Sequence, residues 1–329
     1  MFELLGICLA LSALLTLNAL AALLASALWT AIRGRVKAWP AGAQARLLFA
    51  LRVFPPVIAI ACVGALLLPA YIRHEPRSAV EPVSLKLGIL AAVSAAGLLL
   101  ALWRGVAAWL ATHRLIRNWM SLADPVSFDR IPAYRLRHQF PVIAIVGAIR
   151  PKLFIADHLF QTLTHEELAA AIAHECGHLA ARDNLKRAAM RFCRDALAIF
   201  PTGAGLDRAW AEASESAADE HAASGGRAVA LDLASTLVKV ARLVPKGVKP
   251  AMPAMASFII ADADVVARRV LRLTQLATSD NLSSPEPVFK AWPWACFAAI
   301  NASAMLLASD PATLLAVHAL IEIAVSKLQ

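Results

Sequence analysis

The chain has 329 residues, of which 59% are hydrophobic and only 17% are charged, and its mean hydropathy is +0.62. Soluble globular proteins usually contain about 45–50% apolar and about 25% charged residues. The composition therefore excludes a purely soluble enzyme, a disordered chain and a disulfide-rich secreted module. Most of the net charge of +9 lies in the first third of the chain, and residues 112–290 have a nearly ordinary charge content. This division indicates a soluble domain held between membrane segments.

Four apolar stretches predict four transmembrane helices, at about residues 4–30, 50–72, 87–108 and 290–309. The runs without any charge contain 29, 20, 17 and 19 residues, respectively. A cleaved signal peptide is the alternative for the first stretch, but its length and the acidic Glu3 in place of a basic residue argue against cleavage.

Basic residues predict how these helices are oriented. The loop after the first helix contains five basic residues and no acid, and three more arginines follow the third helix. By the positive-inside rule we expect a multi-pass protein of the cell (inner) membrane, with its N-terminus outside and residues 111–289 in the cytoplasm. These basic residues are Arg33, Arg35, Lys37, Arg46 and Arg52 in the loop, and Arg104, Arg114 and Arg117 after the third helix.

The last twenty residues predict one more helix. Asp310 and Pro311 form a helix-start signal, and the apolar sequence that follows contains His318, Glu322 and Lys327. These polar residues favour a short amphipathic helix on the membrane surface, at 310–329, over a fifth crossing.

The residues that indicate chemistry lie in the middle segment. Thr164 and Glu167 form a capping box, which predicts a helix that begins directly after Thr164. His174 and His178 are four residues apart and share a face of this helix, so both can bind one metal ion. Glu175 lies about 100° around the helix and can act on a water molecule without being a ligand. This is the His-Glu-x-x-His pattern of zinc peptidases; a helix with two solvated or core histidines is the alternative.

A catalytic zinc ion needs a third protein ligand, and the candidates lie on a second, acidic helix. Glu215 and Asp219 are four residues apart, so we predict Glu215 as the ligand and Asp219 as the carboxylate that orients a ligating histidine. Sequence position alone does not show whether Glu212 or Glu215 is the ligand. The pairing of Glu215 with Asp219 favours Glu215. A solvated acidic helix face is the alternative. The full candidate set is Glu212, Glu215, Asp219, Glu220 and His221.

A β-hairpin is predicted before the zinc motif. Phe140–Val146 and Lys152–Ala156 are β-rich runs separated by a turn that contains glycine and proline. An edge strand beside the zinc helix is a candidate for holding an extended substrate by β-augmentation. An ordinary structural hairpin is the alternative.

Two amphipathic helices are predicted after the acidic helix, at 228–243 and 263–276. In the second, Arg268, Arg269 and Arg272 predict a basic stripe that faces the cytoplasm or anionic lipid headgroups. Aromatic residues are not interleaved with these arginines, so we expect no nucleic-acid partner.

These motifs carry a resemblance to a known group of enzymes. Residues 147–155, the His-Glu-Cys-Gly-His core within 163–183 and the Glu215-x-x-x-Asp219 pair resemble the BlaR/MecR-type integral membrane zinc peptidases. They are also similar to the related HtpX and CAAX-prenyl-protease type. The layout of three helices, a cytoplasmic peptidase domain and a fourth helix resembles the BlaR/MecR type.

The resemblance implies a gluzincin-type endopeptidase, with Zn²⁺ bound by His174, His178 and Glu215 and with Glu175 as the general base. Asp183 matches an aspartate that follows the zinc helix in the BlaR/MecR group and is a further candidate. The residue that stabilises the oxyanion stays unassigned, with His221 the nearest histidine in the sequence. Only about twenty residues follow the fourth helix, and they contain no Ser-x-x-Lys nucleophile, so we do not expect β-lactam sensing.

The predicted fold is a mainly α-helical membrane protein with four transmembrane helices and an inserted α+β zincin-like metalloprotease domain. Residues 1–110 contain three of the helices, 111–289 form the domain, 290–309 form the fourth helix and 310–329 the terminal helix.

The predicted function is that of a zinc-dependent endopeptidase that cleaves a cytoplasmic or membrane-associated protein in regulation or signalling. The expected partners are a protein or peptide substrate and the lipid bilayer, and a second copy of the chain is a candidate. Two alternatives stay open: a general quality-control peptidase of the HtpX type, and a catalytically idle zinc-binding scaffold in signalling. The general base Glu175 argues against the scaffold, because a structural zinc site is closed and needs no base.

Overall fold

The structure, a computed structural model, describes residues 2–76, 83–196, 203–244, 263–278 and 292–328. The chain is mostly helical and contains one small mixed sheet. Three of its helical segments are long and apolar enough to cross a membrane, and a pair of bent helices adds a fourth if the pair is one span. These helices indicate a membrane protein, as the composition predicts.

The three long helical segments extend beyond the predicted spans. They are α1 (Phe2–Val36), the segment Ala41–His74, and α4 (Leu85–Met120). The middle segment consists of α2 (Ala41–Cys62), a short π-helical stretch and α3 (Leu68–His74). Hydropathy marks only the apolar part of each helix, whereas the helix itself continues through charged residues until it is capped.

The bent pair consists of α11 (Trp292–Ser309) and α12 (Pro311–Leu328), which meet at 93°. Asp310 caps α12, because its carboxylate accepts hydrogen bonds from the backbone N–H groups of Ala312 and Thr313 at 3.2 and 3.1 Å. The predicted boundary between the domain and the fourth helix, at 289–290, lies outside the described residues.

Helix α12 is apolar on more than one face. Its buried side packs against α1, α3 and α4 at one end of the bundle, and its other side exposes leucine and isoleucine, so its amphipathic character is weaker than predicted. The buried residues are Leu314, Ile321 and Val325, and the exposed ones are Leu315, Leu320 and Ile323.

The sheet lies in the segment that follows α4. Its strand order is β1-β2-β4-β3, with β1 and β2 antiparallel, β2 and β4 parallel, and β3 and β4 antiparallel. The hairpin predicted from the sequence is confirmed as β3 and β4, which pair from Ile143↔Ile155 to Val146↔Lys152. The strands are β1 (Ala123–Phe128), β2 (Ile131–Leu136), β3 (Ile143–Val146) and β4 (Lys152–Ala156).

Glycine is required at the start of the β3–β4 turn. Gly147 has φ of +107°, and a Cβ atom there would lie 3.2 Å from the carbonyl oxygen of Arg150. Glycine adopts this conformation without the steric cost that other residues incur. The turn places β3 at the edge of the sheet, beside the helix that contains the His-Glu-x-x-His motif.

Helices complete the domain around one apolar core formed with the sheet. Among the most deeply buried side chains in this core are Phe154, Ile155, Ile172 and Leu233. The helices are α5 (Leu159–Thr162), α6 (His165–Ala181), α7 (Asp183–Asp195), α8 (Ala204–Ala223), α9 (Arg227–Leu243) and α10 (Ala263–Thr278).

Helix α8 connects the domain to the membrane bundle. A separate apolar cluster joins α2 to α7 and α8 and includes Leu48, Met190 and Trp210. Arg52 on α2 pairs with Asp207 on α8 at 3.3 Å. The domain is therefore packed directly on a membrane helix.

Candidate metal centre

The metal-centre residues on α6 are placed by a helix that begins where the sequence predicts. The Thr164 side chain accepts a hydrogen bond from Glu167 N–H at 3.2 Å, and the Glu167 carboxylate accepts one from Thr164 N–H at 2.9 Å. This is the predicted capping box. His174, Glu175 and His178 follow in the helix interior and are at most 4% exposed.

Gly177 allows α8 to approach α6 closely. A Cβ atom at this position would lie 3.1 Å from Ala218 Cα and 3.1 Å from His221 Cβ, tighter than a side chain tolerates without displacement. The glycine inside the His-Glu-Cys-Gly-His sequence thus permits the helix crossing that brings Glu215 to the histidines. His221 itself is exposed at this crossing and does not group with other possible metal ligands in the described part of the chain.

Two histidines and one glutamate converge at the crossing. One donor atom from each of His174, His178 and Glu215 lies within 4.8 Å of the others. His174 Nε2 is 3.6 Å from Glu215 Oε2, and His178 Nε2 is 3.5 Å from Glu215 Oε1. Glu212, one turn earlier on α8, is exposed, and among the described residues it is Glu215 that groups with the two histidines.

In each histidine, the Nε2 atom lies near Glu215 and a second carboxylate contacts the Nδ1 atom. Asp219 Oδ1 lies 3.0 Å from His174 Nδ1, and Asp183 Oδ2 lies 2.8 Å from His178 Nδ1. Ser214 donates a hydrogen bond to the same Asp183 oxygen at 2.6 Å. A carboxylate at Nδ1 keeps the proton there and leaves the Nε2 lone pair available. Both Nε2 atoms therefore face Glu215 as acceptors of a positive ion.

Asp183 reaches His178 because the chain turns sharply after α6. Arg182 adopts the left-handed conformation, with φ of 54° and ψ of 40°, and α7 begins at the next residue. The turn folds Asp183 back toward the last turn of α6. The resemblance to the BlaR/MecR group makes Asp183 a candidate but does not show which histidine it contacts.

The donor set fits zinc. Within the described part of the chain, His178 Nε2 is buried and has no hydrogen-bond partner, which is unusual for a buried ring nitrogen. Two imidazole nitrogens and one carboxylate are a ligand set of catalytic zinc sites, which leave a fourth position open. His174, His178 and Glu215 are thus suited to hold the ion.

The electrostatics of the centre favour an ionised Glu215. Burial works to raise the pKa of Glu215, but the charges of His178 and Arg269 and a hydrogen bond from His174 outweigh it and hold that pKa well below its ordinary value. Burial works to lower the pKa of His174, but hydrogen bonds to Asp219 and Glu215 raise it to about 9. Binding of an ion at His174 must displace this proton, so it weakens as the pH falls.

Glu175 is hydrogen-bonded to the edge strand of the sheet. Its Oε2 accepts a hydrogen bond from the backbone N–H of Ile145 at 3.2 Å. Burial raises its pKa, and the neighbouring His178 and His174 partly oppose the shift. Glu175 is 1% exposed and lies on the same helix as both histidines, which places a carboxylate base inside the centre.

Asn184 forms a hydrogen bond with the other backbone group of Ile145, its carbonyl oxygen, on the edge strand β3. Its side-chain amide donates hydrogen bonds to the carbonyl oxygens of Ile145 and Gly147 at 2.9 and 3.1 Å. Both outward-facing groups of Ile145 are therefore engaged by the protein, so β3 offers no free backbone group there to an added strand. No motif in the sequence predicts this role for Asn184.

Arg269 corrects the predicted basic stripe. It is 7% exposed and points into the centre, where its guanidinium makes hydrogen bonds of 2.6 and 2.9 Å to Asp219 and lies 3.1 Å from Glu215. Arg272, one turn further along α10, pairs with Glu220. Only Arg268 is exposed. Two of the three arginines thus neutralise α8 carboxylates, and the sequence prediction that they face lipid or cytoplasm was wrong.

Comparison with known proteins agrees with this geometry. Residues 144–320, more than half of the chain, match the model of peptidase family M48. The chain belongs to peptidase family M48. Members of this family are zinc metallopeptidases, among them enzymes of the HtpX, CAAX-protease and BlaR types. Neither a curated protein nor a solved structure shows a significant match to the chain.

Proposed function

We propose that this peptidase is a membrane-embedded zinc endopeptidase that cleaves a cytoplasmic or membrane-associated protein in regulation or signalling. The proposal rests on one observation: the Nε2 atoms of His174 and His178 and the carboxylate of Glu215 converge within 4.8 Å, with Glu175 buried on the same helix. A closed structural zinc site has four protein ligands and needs no base. Three ligands beside a buried carboxylate are what peptide hydrolysis requires.

Each residue has a separate part in hydrolysis. Zinc, when held by His174, His178 and Glu215, supplies Lewis-acid polarisation of the peptide carbonyl and lowers the pKa of the attacking water. Glu175 takes the proton from that water and passes it to the leaving amine. Its raised pKa makes it a stronger base than an ordinary glutamate.

The residues around the metal centre control the protonation, charge and position of its side chains. Asp219 and Asp183 hold the Nδ1 protons of the two histidines, so that the ion competes with a proton only at Nε2. Arg269 neutralises Asp219, which is buried, and Glu215, which is partly buried. Asn184 holds the edge strand, and with it the Ile145 N–H that contacts Glu175.

A cytoplasmic location of the domain is supported by the position of the basic first loop. Helix α2 begins at Ala41, within the basic segment from Arg33 to Arg52, and the Ala41 N–H donates a hydrogen bond to Glu220 of the domain at 3.1 Å. The loop and the metal centre therefore lie at the same end of the bundle. The positive-inside rule assigns that end to the cytoplasm.

The test compares purified full-length wild-type protein with Glu175→Gln, using a generic unfolded protein as the substrate. We expect Glu175→Gln to bind zinc as the wild type does and to lose cleavage by about two orders of magnitude or more, because it has no proton acceptor. Cleavage by the wild type is expected to stop when a chelator removes the metal.

A matched pair of variants on α8 tests the third ligand. Glu215→Gln is expected to lose zinc and cleavage, whereas Glu212→Gln, an exposed glutamate one turn away, is expected to keep both. Zinc binding without cleavage in the wild type would favour the scaffold. Cleavage by Glu175→Gln at the wild-type rate would contradict the proposal.

A further inference from the structure

A second group of imidazole and carboxylate side chains lies at the end of the bundle opposite the peptidase domain. Glu75 follows α3 directly, and His318 and Glu322 lie on α12. One donor atom of each lies within 4.8 Å of the others. We propose that this distal cluster (Glu75, His318, Glu322) binds a divalent transition-metal ion, with Zn²⁺ as the best match.

The three donors come from two elements that are far apart in the chain. His318 and Glu322 are four residues apart on α12, so they share a face of the helix, and His318 Nε2 lies 3.9 Å from Glu322 Oε1. Glu75 reaches the same point from the end of α3 and is 8% exposed. The peptidase centre is built in the same way, from two ligands four residues apart on one helix and a third from another element.

The charges of the distal cluster favour a bound cation. Two carboxylates within 4.8 Å of each other repel when both are ionised, and a divalent ion between them removes this repulsion. His318 Nδ1 is buried and makes no hydrogen bond to any residue that the structure describes. The adjacent ring of His74 lies 5.7 Å from that of His318, which places a second imidazole beside the cluster.

The donor set selects the class of metal. One imidazole nitrogen and two carboxylate oxygens suit Zn²⁺ and similar first-row divalent ions, whereas Cu⁺ prefers sulfur ligands and Ca²⁺ prefers a shell of oxygens. The side chain of Glu322 is 49% exposed and that of His318 is 16% exposed. One side of the cluster is therefore open for exchange of the ion and for a water ligand.

A metal ion here would hold α12 on the bundle. Among the described residues, Leu314 of this helix packs in the apolar cluster that contains Leu5 and Tyr71. Apolar contacts between helices contribute little in a bilayer, because the lipid chains are equally apolar. A bond from the end of α3 through the ion to α12 supplies a specific attachment that apolar packing lacks.

Metal content per chain tests the proposal. Full-length wild type, Glu322→Gln, Glu215→Gln and the double variant are purified in detergent, equilibrated with buffered free Zn²⁺ and measured for bound zinc. We expect about two equivalents in the wild type, about one in each single variant and none in the double variant. His113→Gln, which removes an exposed histidine outside both clusters, is expected to keep both equivalents.

The outcomes separate the two sites. About one equivalent in the wild type, retained by Glu322→Gln and lost in Glu215→Gln, would overturn the distal site and leave the proposed peptidase intact. One equivalent retained by Glu215→Gln and lost in Glu322→Gln would support the distal site and contradict the proposed peptidase centre.

Thermal stability gives a second measurement that does not depend on catalysis. In the Glu215→Gln background, added Zn²⁺ is expected to raise the unfolding midpoint, since an ion that binds only the folded chain stabilises it. Adding Glu322→Gln should abolish this rise. An equal rise in the double variant, or no rise in Glu215→Gln, would overturn the proposal.

Discussion

Each proposed ligand of the metal centre contacts a residue that the metal would not touch. Asp219 and Asp183 each hold the Nδ1 atom of one histidine, and Arg269 neutralises the acids of α8. A histidine without such a partner is free to rotate or to change its tautomer. The functional unit at this scale is therefore larger than the His-Glu-x-x-His motif, and it includes an arginine from α10.

Neutralising Arg269 should destabilise the domain. Arg269→Met leaves the carboxylates of buried Asp219 and partly buried Glu215 without their guanidinium, and loss of one partner of a buried ion pair, such as that with Asp219, costs about 3–5 kcal/mol. We expect a lower thermal unfolding midpoint, with the larger decrease in the presence of a chelator, when no metal ion compensates the two charges.

The neighbouring arginine provides the control. Arg268→Met removes an exposed side chain from the same helix, and such surface changes usually stay within about 0.5 kcal/mol. Equal midpoints for the two variants would show that the ion pairs of Arg269 do not stabilise the fold.

At the scale of elements, Glu167 connects the start of α6 to α9. Its carboxylate accepts hydrogen bonds from Ser235 at 2.7 Å and from Lys239 at 2.8 Å, in addition to the capping bond from Thr164. The Thr236 hydroxyl also donates a hydrogen bond to the backbone carbonyl oxygen of Glu167 at 3.0 Å. The capping residue that starts the metal-binding helix thus also fixes how that helix packs.

The contribution of Glu167 should depend on pH. Burial opposes its ionisation, but hydrogen bonds from Lys239, Ser235 and Thr164 outweigh burial and lower its pKa. A pKa that is lower in the folded than in the unfolded chain stabilises the fold above the unfolded value, about 4.3 for glutamate. This stability is lost as the pH falls through the lowered folded value.

Glu167→Gln is therefore expected to cost about 1–3 kcal/mol at pH 7 and progressively less below about pH 4. Thermal unfolding of both proteins across this pH range measures the difference. Glu212→Gln, an exposed glutamate, is the control and should follow the wild type. A difference between Glu167→Gln and wild type that stays constant down to pH 3 would contradict this assignment.

For the whole molecule, the contact between α2 and α8 is decisive. Helix α8 contains the proposed ligand Glu215 and also residues that contact the bundle: Asp207 pairs with Arg52, and Glu220 accepts a hydrogen bond from the N–H of Ala41. The carboxylate of Glu220 also lies at the positive end of the α2 dipole, where a negative charge is favourable. The position of the metal ligand is thus determined partly by a membrane helix.

Breaking this contact should loosen the domain from the bundle. Arg52 is 3% exposed at its side chain, and Arg52→Met removes its charge from Asp207, with an expected cost of about 1–3 kcal/mol. Thermal unfolding of the full chain in detergent should show a lower midpoint. Arg33→Met, at an exposed position on α1, should leave the midpoint unchanged, and equal midpoints for both variants would contradict a stabilising role.

The sequence by itself determined the features that depend on short spacing. The capping box, the shared face of His174 and His178, and the length of the apolar runs follow from local geometry, because helical periodicity relates residues three and four positions apart. For the same reason the sequence predicts the pair Glu215 and Asp219, and family membership agrees with the motif.

Only the tertiary structure decided which distant residues complete the centre. Arg269 is separated from Asp219 by fifty positions, and its pattern on α10 matches that of any solvated basic face. Asn184 contacts a strand 39 positions away. The distal cluster likewise joins Glu75 to α12 across most of the chain. Such contacts depend on helix crossings and turns, such as the one that Gly177 permits, and periodicity within one element carries no information about them.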